Sequence, residues 1–283
     1  MIRARGPGTR PLRLAGILRG ARMSAMAGPV PERARILVTG ASRGIGRAVA
    51  RSLVREGSDI LAVARSATDL AKLAIEGGLG ATTRIETAAL DLADRAAVDR
   101  ALASPPFTGR GFRGVVIAHA LNRGTPLAGN PADFHAMIEA DLVSPMRLLR
   151  TLMPRLEDDG RVVLIGSILG RIGIPGQHGY CAAKAGLAGL ARALALDLAP
   201  RRITVNCLQP GWVNTDMARE SIAAQAPGMG LTAEEARRFF EEALPLKRFL
   251  TPDEVAAHVR FLLSPAARSF TGQVLNHDSG ALV

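Results

Sequence analysis

Tyrosine and lysine are scarce in this chain: of 283 residues, Tyr180 is the only tyrosine, and lysine occurs only at 72, 184 and 247. Aromatic residues total 4%. Two cysteines, Cys181 and Cys207, exclude a disulfide framework, and no C-x-x-C or Cys/His cluster points to a bound metal. No apolar run approaches the ~20 residues needed to cross a bilayer, so neither a membrane span nor a membrane partner is expected. A reducing, cytoplasmic setting follows as the expectation. The net charge of +11 resembles a nucleic-acid signal until it is located. Residues 1–35 hold eight Arg and one Glu, leaving only +4 for the remainder, where no basic stretch is interleaved with aromatics. No nucleic-acid partner is expected.

Residues 1–34 mix Arg, Gly and Pro without a helical or strand period and read as a basic, disordered extension. An Arg-rich, nearly acid-free segment also fits a transit peptide, although Pro7, Pro11 and several glycines oppose the amphipathic helix one requires. A natural start at Met23 or Met26 is a third reading.

From Arg35 onward, short apolar runs alternate with longer helical patterns. The runs centre on Ile36–Val38, Ile60–Val63, Thr87–Leu90, Val115–Ile117, Val162–Ile165, Ile203–Asn206 and Val274–Leu275. Several are continuous rather than alternating, as strands buried on both faces of a parallel sheet require. The expected fold is α/β, a Rossmann-type doubly wound parallel sheet in a single domain over 35–283. A helical stretch, Thr232 to Leu244, interrupts the alternation, so residues 217–250 are expected to form a lid.

Between the first run and the first helix lies Thr39-Gly40-Ala41-Ser42-Arg43-Gly44-Ile45-Gly46. Glycines at 40, 44 and 46 let the backbone turn sharply and approach a pyrophosphate, which the following helix N-terminus would hold. Ser42, Arg43 and Ile45 share that turn. The second strand ends Val63-Ala64-Arg65-Ser66, without the acid that usually holds a ribose 2′-hydroxyl. Arg65 can fork onto a 2′-phosphate instead, flanked by Arg43, which would select NADP(H); the alternative is two solvated arginines in an Arg-rich chain. Asp91 and Leu92, after the third strand, fit an adenine site, or a plain turn.

Tyr180 and Lys184 are spaced i, i+4 and share one face of a helix. Ser167 lies just past the strand ending at Ile165, and strand ends in such sheets face the ligand crevice. Reducing a ketone requires a proton for the developing alkoxide. A phenol is a poor acid–base group at neutral pH, with a pKa near ~10. A nearby ammonium eases its ionisation, and a serine hydroxyl can hydrogen-bond the reacting oxygen.

Over residues 35–283 the chain resembles the short-chain dehydrogenases/reductases, and within them the branch that reduces 3-oxoacyl thioesters, including polyketide ketoreductases. Thr39–Gly46, Ser167, Tyr180-x-x-x-Lys184 and Pro210-Gly211-Trp212-Val213-Asn214-Thr215 carry the resemblance. It implies Ser167 polarising a carbonyl, Tyr180 donating the proton, and Lys184 holding the ribose hydroxyls and tuning Tyr180. Pro210, Val213 and Thr215 would approach the nicotinamide. The family's habit of pairing the helix after the tyrosine implies a homodimer or homotetramer. The expected reaction is NADPH-dependent reduction of a ketone, a 3-oxoacyl thioester or a related small carbonyl compound. Competing readings are an alcohol dehydrogenase working oxidatively and an impaired NADP(H)-binding sensor or scaffold.

Two departures from the family stand out. Its Asn-Asn-Ala-Gly becomes Ala118-His119-Ala120-Leu121, where His119 reads as packed or ribose-adjacent rather than catalytic. Its tetrad Asn, which helps hold a water linked to the lysine, becomes Asp141. As a carboxylate near Lys184, Asp141 would cancel part of the field on Tyr180. Protonated, it would mimic Asn; turned away, it would pair with Arg147.

Overall fold

The computed structural model describes residue 30, residues 33–78 and residues 84–282. Seven strands run β1 (Arg35–Thr39), β2 (Asp59–Ala64), β3 (Ile85–Ala89), β4 (Phe112–Ile117), β5 (Leu156–Ile165), β6 (Thr204–Pro210) and β7 (Val274–His277). They form one sheet, ordered β3-β2-β1-β4-β5-β6-β7, and every pairing is parallel. Residues on successive pleats enter opposite cores. Ile36 and Val38 face the side covered by α1 (Gly44–Arg55), α2 (Ala67–Gly78) and α9 (Pro252–Leu263). Leu37 faces the side covered by α3 (Arg95–Leu102), α5 (Ser144–Leu152) and α6 (His178–Leu198). Burial on both faces explains why these strands read as apolar runs with no polar alternation.

The chain winds outward from β1 to β3, then returns to build the other half from β4. That reversal opens a crevice beyond the carboxyl ends of β1 and β4, where a ligand belongs in such sheets. Past β6 the stretch expected to form a lid folds as α7 (Asp216–Gln225) and α8 (Ala233–Glu242). It has a small core of its own: Ile222, Ala226, Ala236, Leu244 and Phe249. Trp212 stacks on Phe249 at 5.5 Å and meets Phe240 at 5.2 Å, which ties that core to the end of β6.

Most of the proposed N-terminal extension lies outside the described residues. Where the two overlap, the boundary moves toward the N-terminus. Val30 and Ala34 are buried in the core beside α1, and the Arg33 N–H donates to the Gly57 carbonyl at 2.8 Å. The apolar Val30 had no periodic neighbours to mark it, so only packing reveals its place.

Candidate active site

Thr39 ends β1, and the chain turns at Gly40, whose φ of +65° lies in the left-handed region. A Cβ there would stand 2.7 Å from the Ala118 carbonyl oxygen of β4's exit. A Cβ on Gly46 would overlap the Gly40 carbonyl itself. The turn is thus a cradle that side chains would fill. At the start of α1, Arg43 makes no side-chain cap, leaving the first-turn N–H groups for an anion. This cradle fits a dinucleotide pyrophosphate, a group that the three glycines and α1's positive end would hold.

A single cleft of about 1380 Å³ runs from this cradle to α6. Its walls bring together Gly40, Ser42, Arg43, Gly44, Ile45 and Gly46 with Arg65, Asp91 and Leu92, and with Ser167, Tyr180, Lys184, Pro210, Val213 and Thr215. Arg65 is exposed at the end of β2. Arg43 is engaged elsewhere: its Nη1 lies 3.3 Å from Glu220 Oε1 on α7, across the cleft. The Asp91 carboxylate accepts the Ala93 N–H at 3.0 Å, so the plain-turn alternative occurs at a residue that also lines the cleft.

Ser167 follows β5 and caps a short 3-10 turn, where its Oγ accepts the Leu169 N–H at 3.2 Å. That turn presses against α6: a Cβ on Gly170 would stand 2.8 Å from the Lys184 carbonyl. The start of α6 is held by Thr125, whose Oγ1 accepts the Gly179 N–H at 2.8 Å. The Thr125 carbonyl also lies 2.6 Å from His178 Nδ1. Tyr180 and Lys184 therefore leave the first turns of a pinned helix on one face, with Lys184 Nζ 5.2 Å from the Tyr180 ring centroid.

Asp141 does not line the cleft; it stands behind Lys184. The helical path from α4 (Pro131–Ile138) into α5 contains a π-turn, Glu139–Val143. Pro145 has no N–H to return to the Asp141 carbonyl, and the Ser144 N–H reaches back five residues to Glu139. This wider turn carries the fully buried Asp141 to Lys184, with Oδ2 3.2 Å from Nζ and Oδ1 accepting the Leu121 N–H at 2.6 Å. The alternative pairing with Arg147 does not form, because Arg147 Nη1 binds Glu139 Oε1 at 2.6 Å.

His119 sits at the hub between β1, β4 and the π-turn. Thr39 Oγ1 accepts the N–H groups of Ala118 at 3.0 Å and His119 at 3.3 Å, which fills both its lone pairs. Its own proton then goes to His119 Nδ1 at 2.8 Å in preference to the Val116 carbonyl at 3.4 Å. His119 Nε2–H donates to Ser144 Oγ at 2.8 Å, and Ser144 donates to the Ala140 carbonyl at 2.9 Å. A neutral imidazole fits this chain: burial, with repulsion from Lys184, pushes the His119 pKa down to about 3. His119 is thus packed, as expected, and also forms part of the cleft wall.

Burial pushes the Tyr180 phenol above its ordinary range; the Lys184 ammonium pulls it down, Asp141 pushes it up, and a Ser167 hydrogen bond pulls it down. Burial works against the charge on Lys184, yet Asp141 holds its pKa above the usual lysine value. Burial raises the Asp141 carboxyl, opposed by Lys184 and the Leu121 N–H.

Part of the cleft wall carries no local signal in the sequence. Ile172, Ile174, Gln177, Met217, Phe240 and Leu244 line it, drawn from the loop before α6 and from the segment that runs from α7 past α8. Nothing in a local period marks an apolar residue as facing a cavity. Among the described residues no group of His, Cys, Asp and Glu could hold a metal, and no helix is long and apolar enough to cross a membrane.

Residues 40–281 match the family profile described as Enoyl-(Acyl carrier protein) reductase. The 3-oxoacyl-[acyl-carrier-protein] reductase FabG of Aggregatibacter actinomycetemcomitans is 34% identical over 252 residues, covering 87% of this chain and 98% of the relative. The D-beta-hydroxybutyrate dehydrogenase of Cupriavidus necator is 31% identical over 253 residues, covering 86% and 96%. Among solved structures, a variant of actinorhodin polyketide ketoreductase with NADPH superposes with a TM-score of 0.79 at 29% identity, covering 88% of this chain and 97% of that one. Fold, cradle and relatives agree: this chain is an oxidoreductase that belongs to the short-chain dehydrogenase/reductase family, in its 3-oxoacyl-acyl-carrier-protein reductase and ketoreductase-like branch.

Proposed function

We propose that this chain reduces a ketone to a secondary alcohol with NADPH, and that its substrate is a 3-oxoacyl thioester or a close relative. The observation that carries this reading is the convergence of Ser167, Tyr180 and Lys184 on one wall of the cleft whose other end is the glycine cradle. The nicotinamide dinucleotide, when bound, supplies the hydride. Ser167 hydrogen-bonds the carbonyl oxygen, and Tyr180 gives it the phenol proton. Lys184 stabilises negative charge at Tyr180 and holds the ribose hydroxyls. Asp141 acts on this set from behind. Gly40, Gly44 and Gly46 with Ser42 and Ile45 receive the pyrophosphate; Asp91 and Leu92 flank the adenine; Pro210, Val213 and Thr215 border the nicotinamide.

The preference for NADPH is supported by Arg65, which is exposed at the end of β2 where no acid stands, and by the relative crystallised with NADPH. The acyl-thioester substrate is supported by the named 3-oxoacyl-[acyl-carrier-protein] reductases and by the apolar wall of Ile172, Ile174, Met217, Phe240 and Leu244. Exposed Phe134, Val143 and Met146, on elements next to α6, fit self-association as a homodimer or homotetramer. A second reading, alcohol oxidation, is favoured by the similarity to the hydroxybutyrate dehydrogenase. Turnover of acyl thioesters, cyclic ketones and aromatic ketones with NADPH and with NADH tests the proposal, with Tyr180→Phe as the control. The variant should lose nearly all turnover yet bind NADPH within a few-fold of the wild type. Retention of most activity rejects Tyr180 as the acid, and a wild type idle on every ketone rejects the reductase.

A further inference from the structure

Lys184 and Asp141 are both closed to solvent, with side-chain exposures of 2% and 0%, and their charged atoms are 3.2 Å apart. We propose that Asp141 is a positioning residue that neutralises Lys184 and thereby keeps Tyr180 protonated, biasing the site toward ketone reduction over alcohol oxidation at neutral pH. This rests on the reading of Tyr180 as the group that exchanges the substrate proton.

A lone buried ammonium beside a phenol would draw it toward phenolate. Here the ammonium has a partner. The pair has no net charge, and its field at Tyr180 is that of a dipole rather than an isolated cation. Were the Asp141 carboxyl to hold a proton, Lys184 would remain an uncompensated buried charge, which burial opposes. The carboxylate faces two positive groups at once: Oδ2 lies 3.2 Å from Lys184 Nζ in an ion pair, and Oδ1 accepts the Leu121 N–H at 2.6 Å. A protonated or amidated side chain would turn a donor toward one of them. The phenol, raised by burial, is raised further by Asp141.

The other titratable neighbours do not supply the missing cation. His119, held near a pKa of about 3, is neutral. Cys207 stays a thiol because burial pushes its pKa up to about 11. Cys181 adjoins Tyr180 and opposes its ionisation. Arg147 is spent on Glu139, and Arg123 at the cleft wall on Asp133.

In reduction, the Tyr180 O–H bond breaks and its proton goes to the substrate oxygen as the carbonyl carbon takes a hydride from the reduced nicotinamide. In oxidation, Tyr180 must start as phenolate and take the alcohol proton while the hydride leaves the carbon for the oxidised nicotinamide. The ketone–alcohol equilibrium is untouched; what changes is the fraction of enzyme in the protonation state each direction needs.

The test is a spectroscopic titration of the full chain. Tyr180 is its only tyrosine, so phenolate absorbance reports one group, and Trp212, the only tryptophan, reports by its emission that the fold persists. In the wild type, phenolate should appear only above the ordinary tyrosine value of ~10. Asp141→Asn should move the titration to lower pH, with roughly tenfold more phenolate at a fixed pH on the rising limb. The pH profile of alcohol oxidation should move down with it, while reduction at neutral pH changes little. Asn can keep the Leu121 N–H bond but leaves the buried Lys184 ammonium without its counter-charge, so the variant loses stability; if it does not fold, the wild-type titration decides alone. Ionisation of wild-type Tyr180 at or below the ordinary tyrosine value, or superimposable titrations of the two proteins, overturns the inference. A shifted titration in a protein that turns over no ketone supports the electrostatic role and overturns the reductase reading instead.

Discussion

Replacing Thr39 by Val removes a single hydroxyl and keeps the shape. The methyl that takes its place meets three polar groups: the N–H groups of Ala118 and His119, and His119 Nδ1, now 3.0, 3.3 and 2.8 Å from Oγ1. Thr39 is fully buried, so water reaches these groups only from the cleft side. Each buried group left without a partner costs about 1–3 kcal/mol. Ala118 and His119 border the cleft and can rehydrate in part, so Thr39→Val should cost about 2–4 kcal/mol in total. That is a large share of the about 5–15 kcal/mol that separates folded from unfolded domains. Thr39→Ser keeps the hydroxyl and loses one methyl, a cost of about 1 kcal/mol. Urea unfolding of the two variants, extrapolated linearly with the slope checked against the wild type, measures the difference. Activity should fall further in the Val variant, because the chain from Thr39 through His119 and Ser144 to Ala140 holds the turn that carries Asp141. If Val is no less stable than Ser, the hydroxyl is not the hub described here.

Gly46→Ala places a Cβ on the Gly40 carbonyl and should remove most NADPH affinity, read by isothermal titration; wild-type affinity would mean the cradle is not the cofactor site. Arg65→Asp should shift the ratio of kcat/KM values from NADPH toward NADH by roughly tenfold or more, since a phosphate partner becomes a hydroxyl acceptor; a wild type that already prefers NADH would refute this. Glu254 is held at a pKa of about 2 by its hydrogen bonds to Arg248 and then to the Thr251 N–H. A depressed folded pKa gives stability that is present above the unfolded value near 4.5 and lost as pH falls toward 2. The carboxylate is 36% exposed, so after solvent screening the contribution is about 1 kcal/mol or less. Arg248→Ala should remove this acid-side slope from the melting temperature measured between those limits; an unchanged slope would assign it to another group.

The sheet and the candidate set of Ser167, Tyr180 and Lys184 were legible in the sequence because local rules and a family motif mark them. A strand buried on both faces must be continuously apolar, as Ile36–Val38 and Val162–Ile165 are. A backbone that folds onto itself must be glycine at 40 and 46, and two side chains four apart on a helix must share a face, as Tyr180 and Lys184 do. What no local window held were the partners. Asp141 reaches Lys184 from 43 residues away only because Pro145 widens a turn and α4, α5 and α6 pack together. Arg43 meets Glu220, and Val30 enters the core, through contacts that neither residue type announces. Sequence by itself determined which segments become strands and helices and which residues can do the chemistry. The tertiary structure decided which charges face one another, since coulombic and hydrogen-bond energies depend on distances that only the packed chain sets.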